Sequence, residues 1–251
     1  VGATGLDVNS DGIVLAATYG ESDSFVPSPF IVRGGRAVPL AVPPGAAVTA
    51  GYSINDDGLV IGYSFFGGTM HGMAWWLNRP GAYIDLGVGE GWLLLNGLTE
   101  TGVFVGFTQG SDGTLRAVRG TLKGGITRLA GTDSAQSSQA TGAAGDFVVG
   151  AGVVLGGTER TSLLWNRGVP AALPSSLRVE VVNSLGRVAG RDANLVRDAV
   201  TWQNGVTSVL PSPADALDFG TTPSEVNDDG TVFGSYVTQS ENTLPVRWTC
   251  S

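Results

Sequence analysis

Three features of the sequence predict an all-β fold, a six-bladed β-propeller with four-stranded antiparallel blades. A short phrase that ends in glycine recurs six times, as in SINDDGLVIG at 53–62 and EVNDDGTVFG at 225–234. A β-branched or aromatic run follows each glycine, and a second apolar run follows that one. The 251 residues include 39 glycines, and only 14% are charged. Repeats of about 40–50 residues with four short strands each are typical of propeller blades.

Each repeat is predicted to contribute four strands, named A to D in chain order. Strand A precedes an anchor glycine and strand B follows it; the six anchors are Gly12, Gly58, Gly102, Gly145, Gly186 and Gly230. Strand C carries tryptophan in four repeats, and strand D ends in leucine in five, at Leu40, Leu86, Leu129, Leu173 and Leu210. We therefore expect one domain over residues 1–251, with blades that start near residues 1, 48, 92, 136, 178 and 222.

The phrase before each anchor glycine has two possible meanings. Asn-Asp-Asp-Gly between two strands is a hairpin signal, because Asn and Asp tolerate turns and glycine adopts positive φ. A calcium loop would instead need a carboxylate at its twelfth position. That position is Thr18 when counted from Asp7 and Tyr236 when counted from Glu225. The sequence therefore favours turns, and no metal site is predicted.

Two further recurrences predict packing. Glycine recurs in or just after strand B, which predicts a bulge or a close backbone approach at Gly62, Gly106, Gly150, Gly190 and Gly234. Tryptophan recurs in strand C and predicts wedges between blades, rather than ligand platforms, at Trp76, Trp165, Trp202 and Trp248.

The last repeat lacks a strand D. If strand A is innermost, only an outer strand is missing, so the last blade is predicted to have three strands. Strand C, around 246–249, then becomes an exposed edge that Pro245 would blunt and that could pair with a partner. The one cysteine, Cys250, follows this strand and is expected to be a spare thiol or to form an intermolecular disulfide.

The repeats resemble the HAF repeat family of bacterial extracellular proteins. The closest copy is INDDGLVIGYSFFGGTMHGMAWWLNRPGAYIDL at 54–86, and VNSLGRVAGRDANLVRDAVTWQNGVTSVL at 182–210 is a second. The family's His-Ala-Phe triplet is approximated by HGMAWW and RDAVTW. The resemblance covers nearly the whole chain and implies a secreted or cell-surface bacterial protein. It brings no assigned chemistry and no functional residues.

Charge and hydropathy narrow the function classes. The formal net charge is −8, Lys123 is the single lysine, and the arginines form no stripe, so nucleic acid and anionic membranes are not predicted as partners. Apolar runs such as GWLLLNG are too short to span a bilayer, so we expect no membrane insertion.

Motifs for catalysis are scarce. His71 is the only histidine, and neither a nucleophile elbow nor a phosphate-binding or dinucleotide-binding glycine motif is present, so no cofactor is predicted. Carboxylates in the variable stretches favour loop solubility, although a pair of them could serve glycoside chemistry. Those carboxylates are Glu21, Asp23, Glu90, Asp112, Asp133, Glu159, Asp192, Asp215, Asp218 and Glu241.

Loop length suggests where a ligand would bind. In a four-stranded meander the B–C and D–A loops share one face, here called the variable-loop face, and all the length variation is predicted to fall there. We expect a secreted binding module that contacts carbohydrate or protein through this face. Two alternatives stay open: a carboxylate-dependent glycan hydrolase or lyase at the channel mouth, and a purely structural repeat in a secreted assembly. The candidate ligand-binding residues are Tyr19, Glu21, Asp23, Phe25, Phe65, Phe66, His71, Trp92, Asp192, Phe219 and Tyr236.

Overall fold

The computed structural model describes residues 2–19, 27–132, 136–192 and 198–249, with the backbone alone for residues 2, 19, 218 and 219. Over these ranges 23 strands form six antiparallel sheets, five with four strands and the last with three. In every sheet the strands lie side by side in chain order. This arrangement confirms the predicted six-bladed β-propeller with a three-stranded last blade.

The first of two compact units, Val1–Leu129, contains blades 1 to 3. Blade 1 has strands β1 Gly2–Val8, β2 Val14–Tyr19, β3 Pro27–Arg33 and β4 Arg36–Pro39. Blade 2 has β5 Val48–Ile54, β6 Leu59–Phe66, β7 Thr69–Trp76 and β8 Ile84–Gly87. Blade 3 has β9 Trp92–Leu98, β10 Phe104–Gln109, β11 Leu115–Thr121 and β12 Gly125–Arg128.

The second unit, Ala130–Ser251, contains blades 4 to 6. Blade 4 has strands β13 Gln139–Ala144, β14 Phe147–Gly152, β15 Thr161–Asn166 and β16 Val169–Ala172. Blade 5 has β17 Leu177–Val182, β18 Val188–Asp192, β19 Asp198–Gln203 and β20 Val206–Val209. Blade 6 has β21 Ala216–Val226, β22 Val232–Thr238 and β23 Thr243–Trp248.

Strand A is the innermost strand of each blade. Within the first unit β1 contacts β5 and β5 contacts β9, and within the second β13 contacts β17 and β17 contacts β21. First strands meet in this way only where the blades converge. Strand D therefore forms the outer edge of each complete blade.

The anchor turns are hairpins in all six repeats. Every anchor glycine has positive φ, from +54° at Gly145 to +87° at Gly230, as the hairpin interpretation requires. The asparagine before the turn also bridges blades. The Asn55 Oδ1 accepts a hydrogen bond from the Leu59 N–H at 2.9 Å, and its Nδ2 donates to the Thr99 carbonyl of the next blade at 3.2 Å. Asn9 and Asn183 make the same pair of contacts.

The carboxylate after the asparagine completes this bridge between turns. Asp56 accepts a hydrogen bond from the Ser10 N–H of the preceding blade at 2.7 Å, and Glu100 accepts one from the Asp56 N–H at 2.7 Å. Asp228 accepts one from Ser184 in the same way at 2.9 Å. These carboxylates occupy the variable fourth position of the calcium-loop pattern, and they have a structural use that the sequence did not reveal.

Each inner strand contains a β-bulge at the same register, and β21 has a second irregularity between Ala216 and Thr221. The extra residue of strand A at each bulge is Leu6, Tyr52, Asn96, Thr141, Glu180 or Ser224 in blades 1 to 6 respectively. The bulge brings a carbonyl of strand A against the glycine of strand B: a Cβ on Gly62 would lie 2.0 Å from the Ala50 carbonyl oxygen. Gly106, Gly150, Gly190 and Gly234 have equally close contacts, from 2.0 to 2.3 Å. The predicted close approach is confirmed, and blade 1 is the exception with Ala16.

Hydrophobic clusters join successive blades, and one tryptophan position holds them together. Trp75 is fully buried between blades 1 and 2, and its Nε1 donates to the Ala41 carbonyl at 2.8 Å. Trp165 and Trp248 donate to the Ala130 and Pro211 carbonyls in the same way. Each acceptor directly follows the leucine that ends a strand D. Trp202 takes the same register but is half-buried.

The prediction placed Trp76 in this set, and it is wrong. The β6–β7 register pairs Val60 with Trp75, and the equivalent β22–β23 register of blade 6 pairs Val232 with Trp248. Trp75 therefore holds the repeat position. Because side chains alternate along a strand, Trp76 points to the other side of the sheet and packs half-buried against the cluster of blades 2 and 3.

The distribution of loop lengths also needs a correction. In blade 2 the B–C connection is only Gly67-Gly68, both with positive φ, so the predicted loop around 65–71 is a tight hairpin whose strands extend further than expected. The C–D connection of the same blade spans 77–83 and lies on the opposite face. Length variation therefore does not fall on one face alone.

Candidate functional site

Several predicted ligand-binding residues fall outside what the structure describes. Glu21, Asp23 and Phe25, together with Cys250, lie outside the described residues. Tyr19 and Phe219 lie in strands of which the backbone alone is described. The described candidates, Phe65, Phe66, His71, Trp92, Asp192 and Tyr236, are distributed over blades 2, 3, 5 and 6.

The blade 2 hairpin holds three candidates, and two of them are engaged within the blade. The rings of Phe66 and His71 stack with centroids 4.0 Å apart, and Phe66 also packs against the core of blades 1 and 2. His71 Nδ1 lies 3.0 Å from the Asp85 carboxylate on β8, which also accepts a hydrogen bond from the Gly87 N–H. Only Phe65 presents its ring to solvent, with 38% of the residue exposed.

Trp92 begins the inner strand of blade 3 at the variable-loop face. Its indole packs edge-on against Phe107, with centroids 5.5 Å apart, and its Nε1 donates to the Gln109 side-chain oxygen. The ring is half-buried, so its orientation is fixed by two neighbours on β10. A preorganised ring of this kind can contact a ligand without losing side-chain freedom on binding.

A charged cluster lies beside Trp92 in blade 3. Glu90 pairs with Arg128 and lies 3.5 Å from the Arg116 guanidinium, which also pairs with Asp112 at 2.6 Å. The Glu90 N–H donates to Thr108, and the adjoining Gly91 carbonyl accepts a hydrogen bond from Thr69 of the blade 2 hairpin. The Thr69–Gly91 hydrogen bond links this cluster to the blade 2 hairpin. The side chains near this junction are here called the blade 2–3 patch: Phe65, Glu90, Trp92, Asp112, Arg116 and Arg128.

The arginines keep the carboxylates of this patch ionised. The hydrogen bond from Arg128 lowers the pKa of Glu90, and hydrogen bonds from Arg116 and the Thr114 backbone hold the pKa of Asp112 well below its usual range. A general acid for glycoside cleavage needs a raised carboxyl pKa. Glu90 and Asp112 are therefore poorly suited to that role.

The candidates of the second unit are held by local polar contacts. Asp192 accepts a hydrogen bond from the Ser176 hydroxyl at 3.0 Å. Partial burial and the neighbouring Asp215 carboxylate raise the pKa of the Tyr236 phenol. Among the described residues, no group of three or more His, Cys, Asp or Glu side chains could hold a metal ion. Nor do the described ranges contain a helix long and apolar enough to cross a bilayer.

Sequence reasoning missed the residues at the inner-strand bulges. Leu6 and Tyr52 are exposed by 36% and 38%, although they lie on the innermost strands. Tyr52 stacks on Tyr63 at 5.7 Å, and in the second unit Glu180 pairs with Arg191 at 2.8 Å. In blades 2 to 6 the recurring glycine of strand B marks these positions in the sequence, since it lies next to the bulge.

Comparison with known proteins identifies the fold. No protein-family model and no curated protein matches the chain. Among solved structures, the β-propeller domain of the Trilobed protease from Pyrococcus furiosus superposes with a TM-score of 0.68 at 8% identity, over 99% of this chain and 79% of that one. The Pyrococcus horikoshii acylaminoacyl peptidase gives 0.66 at 8% identity, over 99% of this chain and 44% of that one.

A third similar structure is a putative TolB from Agrobacterium tumefaciens, with a TM-score of 0.54 at 11% identity, over 98% of this chain and 81% of that one. At such low identities these likenesses establish the β-propeller architecture alone.

Proposed function

We propose that the protein is a carbohydrate-binding module that uses the blade 2–3 patch on its variable-loop face. The HAF-repeat resemblance supports a place outside the bacterial cell. The observation that carries the proposal is that the recurring residues and the patch residues serve different purposes. The recurring glycines, asparagines and tryptophans hold the blades together, whereas the patch combines aromatic and charged side chains that do not recur from blade to blade.

The chemistry of the patch suits a sugar. Carboxylate and guanidinium groups offer several acceptors and donors in fixed planes, which match the paired hydroxyls of a pyranose. The exposed ring of Phe65 and the oriented ring of Trp92 offer apolar faces for the C–H side of the same sugar. Carboxylates and arginines are mutually paired here, so a neutral ligand would leave no charge uncompensated.

Binding is favoured over hydrolysis because of the ionised carboxylates. Glu90 and Asp112 both have lowered pKa values, so neither would hold a proton for a leaving group at neutral pH. As hydrogen-bond acceptors for sugar hydroxyls they are well suited, since an ionised carboxylate accepts only.

A glycan array with the purified protein tests the proposal. We expect the wild-type protein to bind a defined set of glycans. The variant Phe65→Ala/Glu90→Gln/Arg128→Ala should bind the same glycans at least tenfold more weakly. The matched control is Arg33→Ala/Asp57→Asn/Lys123→Ala, with three changes at the tight turns of the opposite face. Failure of every glycan to bind, or equal loss in both variants, would reject the proposal. Release of labelled sugar from a bound glycan would instead favour the hydrolase alternative.

A further inference from the structure

One connection on the face of the tight turns departs from the pattern of the other blades. In blades 1, 3, 4 and 5 two or three residues connect strands C and D, whereas in blade 2 the connection spans 77–83. Backbone hydrogen bonds hold this connection in place. The Leu77 N–H donates to the Gly58 carbonyl at 2.9 Å, and the Pro80 carbonyl accepts the Ala41 N–H at 2.9 Å. The long connection is therefore fixed at the junction of blades 1 and 2.

This connection and the neighbouring turns enclose a cavity of about 160 Å³, here called the turn pocket. Its apolar surface comes from the buried Ile13 and the partly buried Leu77, whereas the charged side chains around it are exposed. An engineered cavity of about 150 Å³ holds benzene, so the turn pocket has room for a ligand of about six to eight non-hydrogen atoms. The lining residues that carry the argument are Asp11, Ile13, Arg33, Asp57, Leu77 and Asn78.

Charged side chains of both signs line the turn pocket without partners among the described residues. The Asp11 and Asp57 carboxylates accept no hydrogen bond there, and the Arg33 guanidinium makes no ion pair although it lines the same cavity. Asp229 holds the same turn position in blade 6, and it accepts a hydrogen bond from the Thr231 N–H at 2.8 Å. The two carboxylates of the pocket are therefore available to a ligand.

The third carboxylate of the turn pocket, that of Asp56, is already engaged. It accepts a hydrogen bond from the Ser10 N–H at 2.7 Å, which joins the anchor turns on the two sides of the cavity. In the described ranges no group of three or more His, Cys, Asp or Glu side chains is placed to hold a metal ion. An organic ligand with its own apolar part therefore suits the pocket better than a metal ion.

We propose that the turn pocket binds a small zwitterion of the α-amino acid class. The ammonium group pairs with Asp11 and Asp57, and the carboxylate pairs with Arg33. The ligand side chain lies against Ile13 and Leu77. An amino acid carries both charges on one carbon, so it can satisfy opposite charges that line one cavity without contacting each other. The site lies on the face opposite to the blade 2–3 patch and does not depend on carbohydrate binding there.

L-valine is the probe, together with two analogues that each lack one of its charges. Isobutylamine keeps the ammonium group and the branched stem, and isovalerate keeps the carboxylate and the same stem. With isotope-labelled protein, we expect valine to give saturable amide shifts in 9–13, 33–36, 55–58 and 77–78, with a Kd on the order of millimolar. Each analogue should bind at least tenfold more weakly. No saturable shift with valine, or equal affinity for valine and isobutylamine, would overturn the proposal.

Arg33→Gln tests the contact with the ligand carboxylate. The variant should bind valine at least tenfold more weakly and isobutylamine no more weakly than wild type, because isobutylamine has no carboxylate for Arg33 to pair with. Arg36→Gln changes the same hairpin outside the pocket lining and is the matched control, with wild-type affinity for valine. Equal weakening of valine and isobutylamine in Arg33→Gln would contradict a direct contact and overturn the proposal.

Asp11→Asn/Asp57→Asn tests the contact with the ammonium group. This variant should bind valine and isobutylamine at least tenfold more weakly, with isovalerate not weakened. Asp229→Asn, at the equivalent turn of blade 6, is the control and should bind valine like wild type. Unchanged valine affinity in the pocket variant, or an equal loss in the control, would overturn the proposal.

The two proposals of this article fail separately. The variant Phe65→Ala/Glu90→Gln/Arg128→Ala, which is expected to lose glycan binding, should bind valine with wild-type affinity, because none of its changes lines the turn pocket. An equal loss of valine binding in that variant would place the amino acid elsewhere and overturn the turn pocket as its site.

Discussion

Two kinds of glycine hold this fold at the scale of single residues. The anchor glycines end strand A with positive φ, a backbone conformation that costs other residues about 1–2 kcal/mol. The strand B glycines have ordinary φ but lie against a bulged carbonyl, where a side chain finds no space. The anchor glycines are needed for their backbone conformation, and the strand B glycines are needed because no side chain fits there. Substitution by alanine should distinguish the two effects.

We expect Gly62→Ala to destabilise the protein more than Gly102→Ala. The new methyl group would meet the Ala50 carbonyl at 2.0 Å, whereas nothing lies within 4 Å of a Cβ on Gly102, which has φ of +76°. The expected losses in the free energy of unfolding are about 3 kcal/mol or more and about 1 kcal/mol. Urea unfolding of both variants measures them, and the reverse order would contradict the bulge explanation.

The Asp112–Arg116 pair should be visible in a titration. Hydrogen bonds from Arg116 and the Thr114 backbone lower the pKa of the Asp112 carboxyl, so the pair stabilises the 110–114 loop above the unfolded pKa of about 3.9. That contribution is lost as the pH falls through the lower, folded pKa. Carbon-detected NMR of the Asp112 carboxyl group measures this pKa in the folded protein.

Arg116→Met should move the pKa of Asp112 back toward its ordinary value. Arg119→Met is the control, because it removes the same charge from the same strand without this hydrogen bond. An unchanged Asp112 titration in Arg116→Met would show that the ion pair does not form in solution.

Strands and their tryptophans form the next scale. Neighbouring residues of one strand enter different clusters: Val60 packs toward blade 1, while Leu59 and Ile61 pack toward blade 3. The buried tryptophan then fixes the end of the preceding strand D through one hydrogen bond to its backbone. A short outer strand is therefore held from two sides, by its own blade and by the next.

We expect Trp75→Phe to destabilise the protein by about 2 kcal/mol, since it leaves the Ala41 carbonyl without its donor and creates a cavity. Trp76→Phe, one residue along the same strand, is the control and should cost less than about 1 kcal/mol because that side chain is half-buried. Thermal and urea unfolding of the two variants measure both losses in stability. Similar losses would argue against the tryptophan bridge.

At the scale of the whole molecule, stability is built from contacts between successive blades. The clusters join blades 1 and 2, 2 and 3, 4 and 5, and 5 and 6. Leu95 belongs to the cluster of blades 2 and 3, and Leu177 to that of blades 4 and 5. In repeat architectures each interface contributes separately to stability.

Hydrogen exchange should therefore resolve local effects of core substitutions. Leu95→Ala is expected to cost about 2–5 kcal/mol and to accelerate amide exchange mainly in β5–β12. Leu177→Ala should act mainly on β13–β20. Uniform acceleration over all strands in both variants would show that the molecule opens only as a whole.

The sequence by itself determined the blade number, the order of the four strands, the positive φ of the anchor glycines and the three-stranded last blade. These features depend on local preferences and on a period that the chain repeats six times. In blades 2 to 6 the glycine of strand B also signalled the bulge, because a Cβ there would lie 2.0 to 2.3 Å from a strand A carbonyl oxygen. The resemblance to HAF repeats and the secreted location stay predictions.

Only the tertiary structure decided which neighbours share a contact. Sequence spacing placed Trp76 in the recurring set, but strand register selects Trp75, because a shift of one residue reverses the side of the sheet. The tertiary structure also gave Asp56 and Asn55 partners 44 to 46 residues away, and it paired Glu90 with Arg128, 38 residues apart, close to Trp92. Such contacts depend on how separate strands pack, which no local pattern records.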